Sequence, residues 1–231
     1  MLAPKETVLP VLRALTKLYP DPSTELTYDG PFQLLAAVIL SAQCTDARVN
    51  QTTPALFARF PTPQAMAGAP IKELEKLVHP CGFYRMKALA LKHMAGSLVE
   101  KYGGEVPRTL EELVELRGVG RKTASVVMNQ AFDLPAIAVD THVKRVAHRL
   151  GWTDNADPVK IEFDLRDLVP MKHWASINGL LILHGRRLCG ARKPLCGECP
   201  VRSYCRFFLQ GGASATIGKS NDTRHRSRKP K

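Results

Sequence analysis

Apolar positions recur at three- and four-residue intervals along most of the chain, the period of a helix with one buried face. In "PFQLLAAVILSA", Pro31 stands at a favoured first helical position, and Leu34, Leu35, Val38 and Ile39 then share a face. "YRMKALALKHMAGSLVEKYGG" puts Met86, Leu89, His93, Met94 and Leu98 near one stripe and stops at Gly103-Gly104. "MKHWASINGLLILHG" does likewise through Trp174, Ile177, Leu181 and His184. Strand-like alternation is nearly absent; the best candidate, "PAIAV", is short and isolated. The pattern predicts an all-α protein whose prolines and glycines mostly punctuate helices.

Composition narrows the setting. The chain has 231 residues, 45% apolar and only 6% aromatic, which suits a helical core of Leu, Val and Ala. Its longest apolar run, "FQLLAAVILSA", is too short to span a bilayer. The N-terminus shows no charged leader followed by an unbroken apolar stretch. The expectation is an intracellular, cytoplasmic protein with no membrane partner. Net charge is +12; residues 209–231 carry six Lys/Arg against one Asp, so +7 remains on the body. Nucleic acid is therefore the leading partner class. The tail is expected to be disordered, because it has almost nothing to bury. Its "ASATIGKS" imitates a phosphate-binding loop, but Ala213 replaces the first glycine and no strand precedes it.

Chemistry concentrates in "LRGVGRKTASVV". Amphipathic helices flank the turn, with Leu110, Leu113 and Leu116 on one side and Ala124, Val127 and Met128 on the other. Gly118 and Gly120 let the backbone around Val119 bend and approach a ligand. The helix opening on Arg121 then offers unpaired N–H groups and a positive dipole end to a phosphate. A tight turn without a ligand is the blander alternative; the basic body tips the balance towards phosphate. Lys122 reads either as another phosphate contact or as a nucleophilic amine. A lysine ordinarily titrates near ~10.4, so neutral amine at pH 7 costs on the order of 4 kcal/mol. A helix N-terminus supplies only about 0.3–1 kcal/mol. Desolvation in a pocket has to supply the rest. Further on, in "IAVDTHVKRVAHRLG", Asp140 precedes a helix that ends at Gly151. It reads as an N-cap, and a capping carboxylate can also steady a cationic sugar or orient a lysine.

Six cysteines in a chain without a secretion signal do not read as a disulfide framework. Four of them, Cys189, Cys196, Cys199 and Cys205, have the spacing C-x6-C-x2-C-x5-C and imply a metal site. Zinc and iron–sulfur both accept four cysteines. Cys44 and Cys81 stand apart and read as ordinary small core residues.

"LRGVGRKTA" followed some twenty residues later by "VDTH" resembles the helix-hairpin-helix, Gly/Pro…Asp superfamily of DNA glycosylases. The likeness extends over "SAQCTDARVNQTTPALF", "GFYRMKA", "GEVP", "LILHGRRLC" and the cysteine cluster, about residues 5 to 207. Arg117 departs from it, since the superfamily commonly has proline there. The resemblance implies two domains with a cleft between them. A six-helix barrel with the hairpin would span 24–134, a discontinuous iron–sulfur domain 1–23 and 135–208, and a basic tail 209–231. It implies one [4Fe–4S] cluster on the four cysteines, with Arg192 and Lys193 presented to phosphates. It also implies Lys122 and Asp140 as catalytic residues, with Gly118, Val119, Gly120 and Arg121 on DNA. Gln43 would fill the hole left by an extruded nucleotide, and Phe83 would wedge the opposite strand. Tyr84, Arg85 and Lys87 would make further DNA contacts. The activity expected is that of a bifunctional glycosylase and abasic-site lyase. It would act as a monomer on oxidised pyrimidines in duplex DNA, at a bacterial nucleoid. An adenine-mismatch glycosylase would characteristically lack Lys122. A non-catalytic DNA-binding protein would leave the Lys122–Asp140 pairing without a purpose.

Overall fold

A computed structural model describes residues 5–212. Every regular element among them is a helix. The principal ones are α1 (Val8–Leu18), α2 (Gly30–Leu40), α3 (Asp46–Arg59), α4 (Pro63–Gly68), α5 (Ile71–Val78) and α6 (Tyr84–Tyr102). They continue with α7 (Leu110–Glu115), α8 (Arg121–Phe132), α9 (Thr141–Leu150), α10 (Pro158–Leu168), α11 (Trp174–Arg187) and the short α12 (Arg206–Leu209). No described helix is long and apolar enough to cross a membrane. The imitation phosphate loop, from Ala213 on, and all but the first residues of the basic tail lie outside the described residues.

Two apolar cores form. The first runs from Leu26 to Val127 and centres on α2, whose residues Leu34 to Leu40 are all buried. The expected stripe is here a helix buried on all sides, because α3, α6 and α8 pack around it. The second core joins Val8 to Tyr19 with Ile137 to Cys205, so α1 packs on α11 across most of the sequence.

Local signals fix several helix ends. Thr109 caps α7: the Glu112 N–H donates to Thr109 Oγ1 at 3.3 Å, and the Thr109 hydroxyl donates to Glu112 Oε2 at 2.6 Å. Gly103 and Gly151 close α6 and α9 in the left-handed region, at φ 62° and 85°. Two expectations need correction. "PAIAV" is not a strand, since no other strand exists among the described residues to pair with it. It runs without regular structure, with Ala136, Ile137 and Ala138 buried between the cores. Met86 leaves the α6 stripe and is 67% exposed, because the first turn of α6 buries Lys87 and packs Tyr84 on the core instead.

Candidate functional site

The hairpin is built from two glycines with different reasons. Gly118 sits at φ +86°, and a Cβ there would lie 2.9 Å from Ala90 Cβ, so fold and backbone both exclude a side chain. Val119, between them, is a core residue that plugs the hairpin into the first core. Its side chain therefore cannot reach DNA; only its backbone is left for that. Gly120 has the ordinary pair φ −89°, ψ 171°, and a Cβ there would meet no protein atom within 4 Å. Nothing inside the protein demands glycine at that position. As N-cap of α8, Gly120 offers no side-chain acceptor to the N–H groups of the first turn.

Arg121 does not point to a phosphate. Its Nε donates to Glu162 Oε2 at 2.6 Å and its Nη2 to Oε1 at 2.9 Å, a bidentate pair on a carboxylate buried to 5% exposure. Arg166 adds a third contact to Glu162 at 3.3 Å. The arginine thus ties α8 to α10 and one core to the other.

Lys122, the next residue, is exposed and lines a cleft between the cores that Asp140 also lines. Asp140 caps α9: the Val143 N–H donates to its Oδ1 at 2.7 Å. Such a cap is worth about 1 kcal/mol. Two buried asparagines hold the strap that delivers Asp140. Asn178 Oδ1 accepts the Ala138 N–H at 3.0 Å, while Asn129 Nδ2 donates to the Ala136 carbonyl at 3.0 Å. Asn129 lies two helical turns after Lys122 on the same face of α8, so one helix sets both sides of the cleft. On the rim, Arg186 bridges Glu25 and Asp46, each at 3.2 Å. Sequence reasoning assigned no role to Asn129, Asn178 or Arg186. Arg186 and Asp46 do lie inside the quoted segments "LILHGRRLC" and "SAQCTD", which was the available signal.

Two loops carry exposed residues in strained backbone. Gln43 (φ 52°) and Phe83 (φ 47°) are both left-handed, at a cost of about 1–2 kcal/mol each. Phe83 is 67% exposed, and Met86 beside it equally so. Tyr84 is half-buried and packs tilted against His79, ring centroids 4.6 Å apart, with the Arg85 guanidinium 5.6 Å from its ring. Lys87 departs from expectation: it is buried, and its Nζ donates to the Cys81 carbonyl at 2.8 Å. It holds the loop from within and is no backbone contact.

Cys189, Cys196, Cys199 and Cys205 line one pocket. Burial pushes the Cys199 thiol up to about 11, and the other three thiols push the same way. Burial likewise raises Cys205 and Cys196. Such a set resists ionisation unless a cationic metal compensates the charge. Four thiols lining one pocket make the donor set that a four-cysteine cluster takes. Arg149 braces this loop, donating to Cys189 Sγ at 3.2 Å and to the Gly190 and Ala191 carbonyls at 2.8 Å. Arg192 and Lys193 project from it into solvent.

Comparison with known proteins agrees with this geometry. Residues 36–171 match the HhH-GPD superfamily base excision DNA repair protein model, and residues 189–205 match the iron-sulfur binding domain of endonuclease III. Endonuclease III of Synechocystis is 48% identical over 89% of this chain and 94% of its own. That of Bacillus subtilis is 46% identical over 82% of this chain and 87% of its own. A solved structure of a trapped endonuclease III–DNA covalent intermediate is 42% identical and superposes with a TM-score of 0.86, covering 92% of this chain and all of that one. The cofactor of this chain is accordingly a [4Fe–4S] cluster. With these two family matches and relatives 46% and 48% identical over most of its length, the chain belongs to the endonuclease III family of DNA glycosylases, within the HhH-GPD superfamily.

Proposed function

We propose that the protein is a bifunctional glycosylase and abasic-site lyase acting on oxidised pyrimidines in duplex DNA. The observation that carries this reading is the meeting of Lys122 and Asp140 in one cleft, each delivered from a different core. In the reaction, the neutral Lys122 amine attacks C1′ of an extruded nucleotide, and the C1′–N bond breaks as the base leaves. The sugar ring opens to a Schiff base on Nζ. Loss of a C2′ proton then expels the 3′ phosphate by β-elimination. A covalent protein–DNA intermediate has been trapped for a relative, which supports this route. Lys122 is exposed in the DNA-free protein, so an extruded nucleotide has open access to its Nζ. Asp140 spends one oxygen on its helix cap, and its charge faces the positive charge that develops on the sugar.

Gly118 and Gly120 would bring backbone N–H groups to a phosphate, with Gln43 entering the vacated stack and Phe83 the opposite strand. Tyr84, Arg85, Arg192 and Lys193 would follow the DNA backbone. Cys189, Cys196, Cys199 and Cys205 would ligate the cluster, whose part is to shape the basic loop. We read the two cores as two domains, 24–134 and 1–23 with 135–208. The cleft is complete within one chain, which supports action as a monomer. The test compares base release and strand scission on duplexes carrying thymine glycol or a mismatched adenine. Thymine glycol should be released with scission and adenine left in place. Adenine release without scission would overturn the reading.

A further inference from the structure

The cleft that holds Lys122 and Asp140 continues along α8, past Val126, to Gln130. Eight residues of helix, roughly 12 Å of rise, part Gln130 from the lysine. Two long side chains with one pyrimidine between them can bridge that span. Leu26 and Val38 add apolar surface to the lining, as a flat base requires. Gln130 is half-buried and held twice. The Tyr28 hydroxyl donates to its main-chain carbonyl at 3.2 Å, and the Thr24 N–H donates to its Oε1 at 3.4 Å. A backbone N–H can only donate, so the amide must turn its oxygen towards Thr24. The Nε2 end is thereby the free one, and it bonds to no other group among the described residues. Asn129 and Asn178, the other amides of the lining, spend their NH2 groups on main-chain carbonyls.

We propose that Gln130 is a specificity-determining residue: its Nε2 donates to the carbonyl oxygen on C4 of an extruded oxidised thymine and so favours thymine-derived over cytosine-derived bases. This rests on the reading of Lys122 as the group that meets C1′. With C1′ at the lysine and the base inside the cleft, the ring lies along α8. C4 stands opposite N1 across the ring, so its substituent is the one furthest from C1′ and is brought towards Gln130. Thymine glycol carries an oxygen there, which accepts. 5-Hydroxycytosine carries an amino group, which donates, and two donors face to face leave both unpaired. A site that offers a hydrogen bond rejects a partner unable to take it more strongly than an apolar wall does. Because Oε1 is committed to Thr24, the amide does not turn over to present its oxygen instead.

The test measures single-turnover base release by the cluster-loaded enzyme on duplexes that differ only in carrying thymine glycol or 5-hydroxycytosine. Wild type is compared with Gln130→Glu and Gln130→Leu. Glutamate keeps an oxygen for the Thr24 N–H and turns the free end from donor to acceptor; leucine keeps the bulk and offers neither. Wild type should release thymine glycol faster by about tenfold, the scale of one hydrogen bond left unmade. In Gln130→Glu that preference should reverse, and in Gln130→Leu it should shrink towards parity. Thermal melting identifies a variant that fails to fold, and the ratio is then read from the other. A wild type without preference would overturn the proposal, as would retention of the wild-type ratio by both variants. So would an equal fall on both bases, which would make Gln130 only a latch between α8 and the Thr24 segment. The reading of Lys122 is checked apart, by borohydride trapping of wild type on an abasic duplex, which has no base for Gln130 to meet. No adduct would strike the mechanism, whereas an adduct together with an unaltered base preference in the variants would strike Gln130 alone.

Discussion

The two sides of the cleft are held by different forces. The side that carries Lys122 is built on apolar burial: α2 is sunk among its neighbours, and the ion pairs over that core, such as Arg59–Glu73, lie at the surface. The side that carries Asp140 has a core of its own, but its C-terminal loop does not share fully in it. Between Cys189 and Cys205 the longest regular element is one 3-10 turn, Arg202–Tyr204. Arginines close the loop's carbonyls instead: Arg145 on Cys189, Arg149 on Cys189, Gly190 and Ala191, and Arg202 on Gly197. Arg149 also lies 4.7 Å over the Phe207 ring. Where a chain cannot bury itself, cations and soft metal ligands do the organising.

The seam between the halves is the most sensitive place to test this. A Cβ on Gly179 would lie 1.7 Å from the Pro22 carbonyl oxygen, so Gly179→Ala must displace the linker that lines the cleft. Thermal unfolding should show a loss of about 3 kcal/mol or more, and a loss below about 0.5 kcal/mol would mean that the halves are not in contact there. Arg149→Ala comes next, at about 2 kcal/mol, because it leaves several carbonyls without their charged donor. Limited proteolysis should then cut within residues 189–205 first. Arg59→Ala on the apolar side should cost no more than about 0.5 kcal/mol, being an exposed pair. Equal costs for the two arginines would erase the contrast between the halves.

Within the hairpin the comparison sharpens to one residue each way. Gly118→Ala should lower stability by about 1–2 kcal/mol, since it places a side chain in left-handed backbone. Gly120→Ala meets neither obstacle, so its melting temperature should stay near wild type while affinity for damaged and undamaged duplexes falls together. If Gly120→Ala destabilises the fold without altering binding, the open space above it is not a phosphate site.

What could be read in advance was what is encoded locally. The helical period, the Gly103 and Gly151 stops and the Asp140 cap all depend on residues within a turn or two, and all are present. What escaped depends on partners far along the chain. The family resemblance placed Arg121 and Lys87 on DNA. Nothing near Arg121 announces that Glu162 will be buried opposite it, and nothing near Lys87 shows that its ammonium turns inward. Val119 lay between two glycines that face outward, yet its own side chain fills the core. Asn129 and Asn178 were invisible for the same reason, since a buried amide is useful only to the strap it happens to hold.

The central claim is that Lys122 is the nucleophile and the hairpin glycines before it hold the phosphate. Borohydride trapping on abasic duplex DNA, run with single-turnover cleavage and binding on wild type and Lys122→Gln, addresses it directly. Wild-type protein should become covalently linked to DNA; Lys122→Gln should bind an abasic analogue with near wild-type affinity, form no adduct and cut no strand. Cleavage of abasic DNA by Lys122→Gln at a rate near that of wild type would contradict the account and reduce the lysine to a phosphate contact.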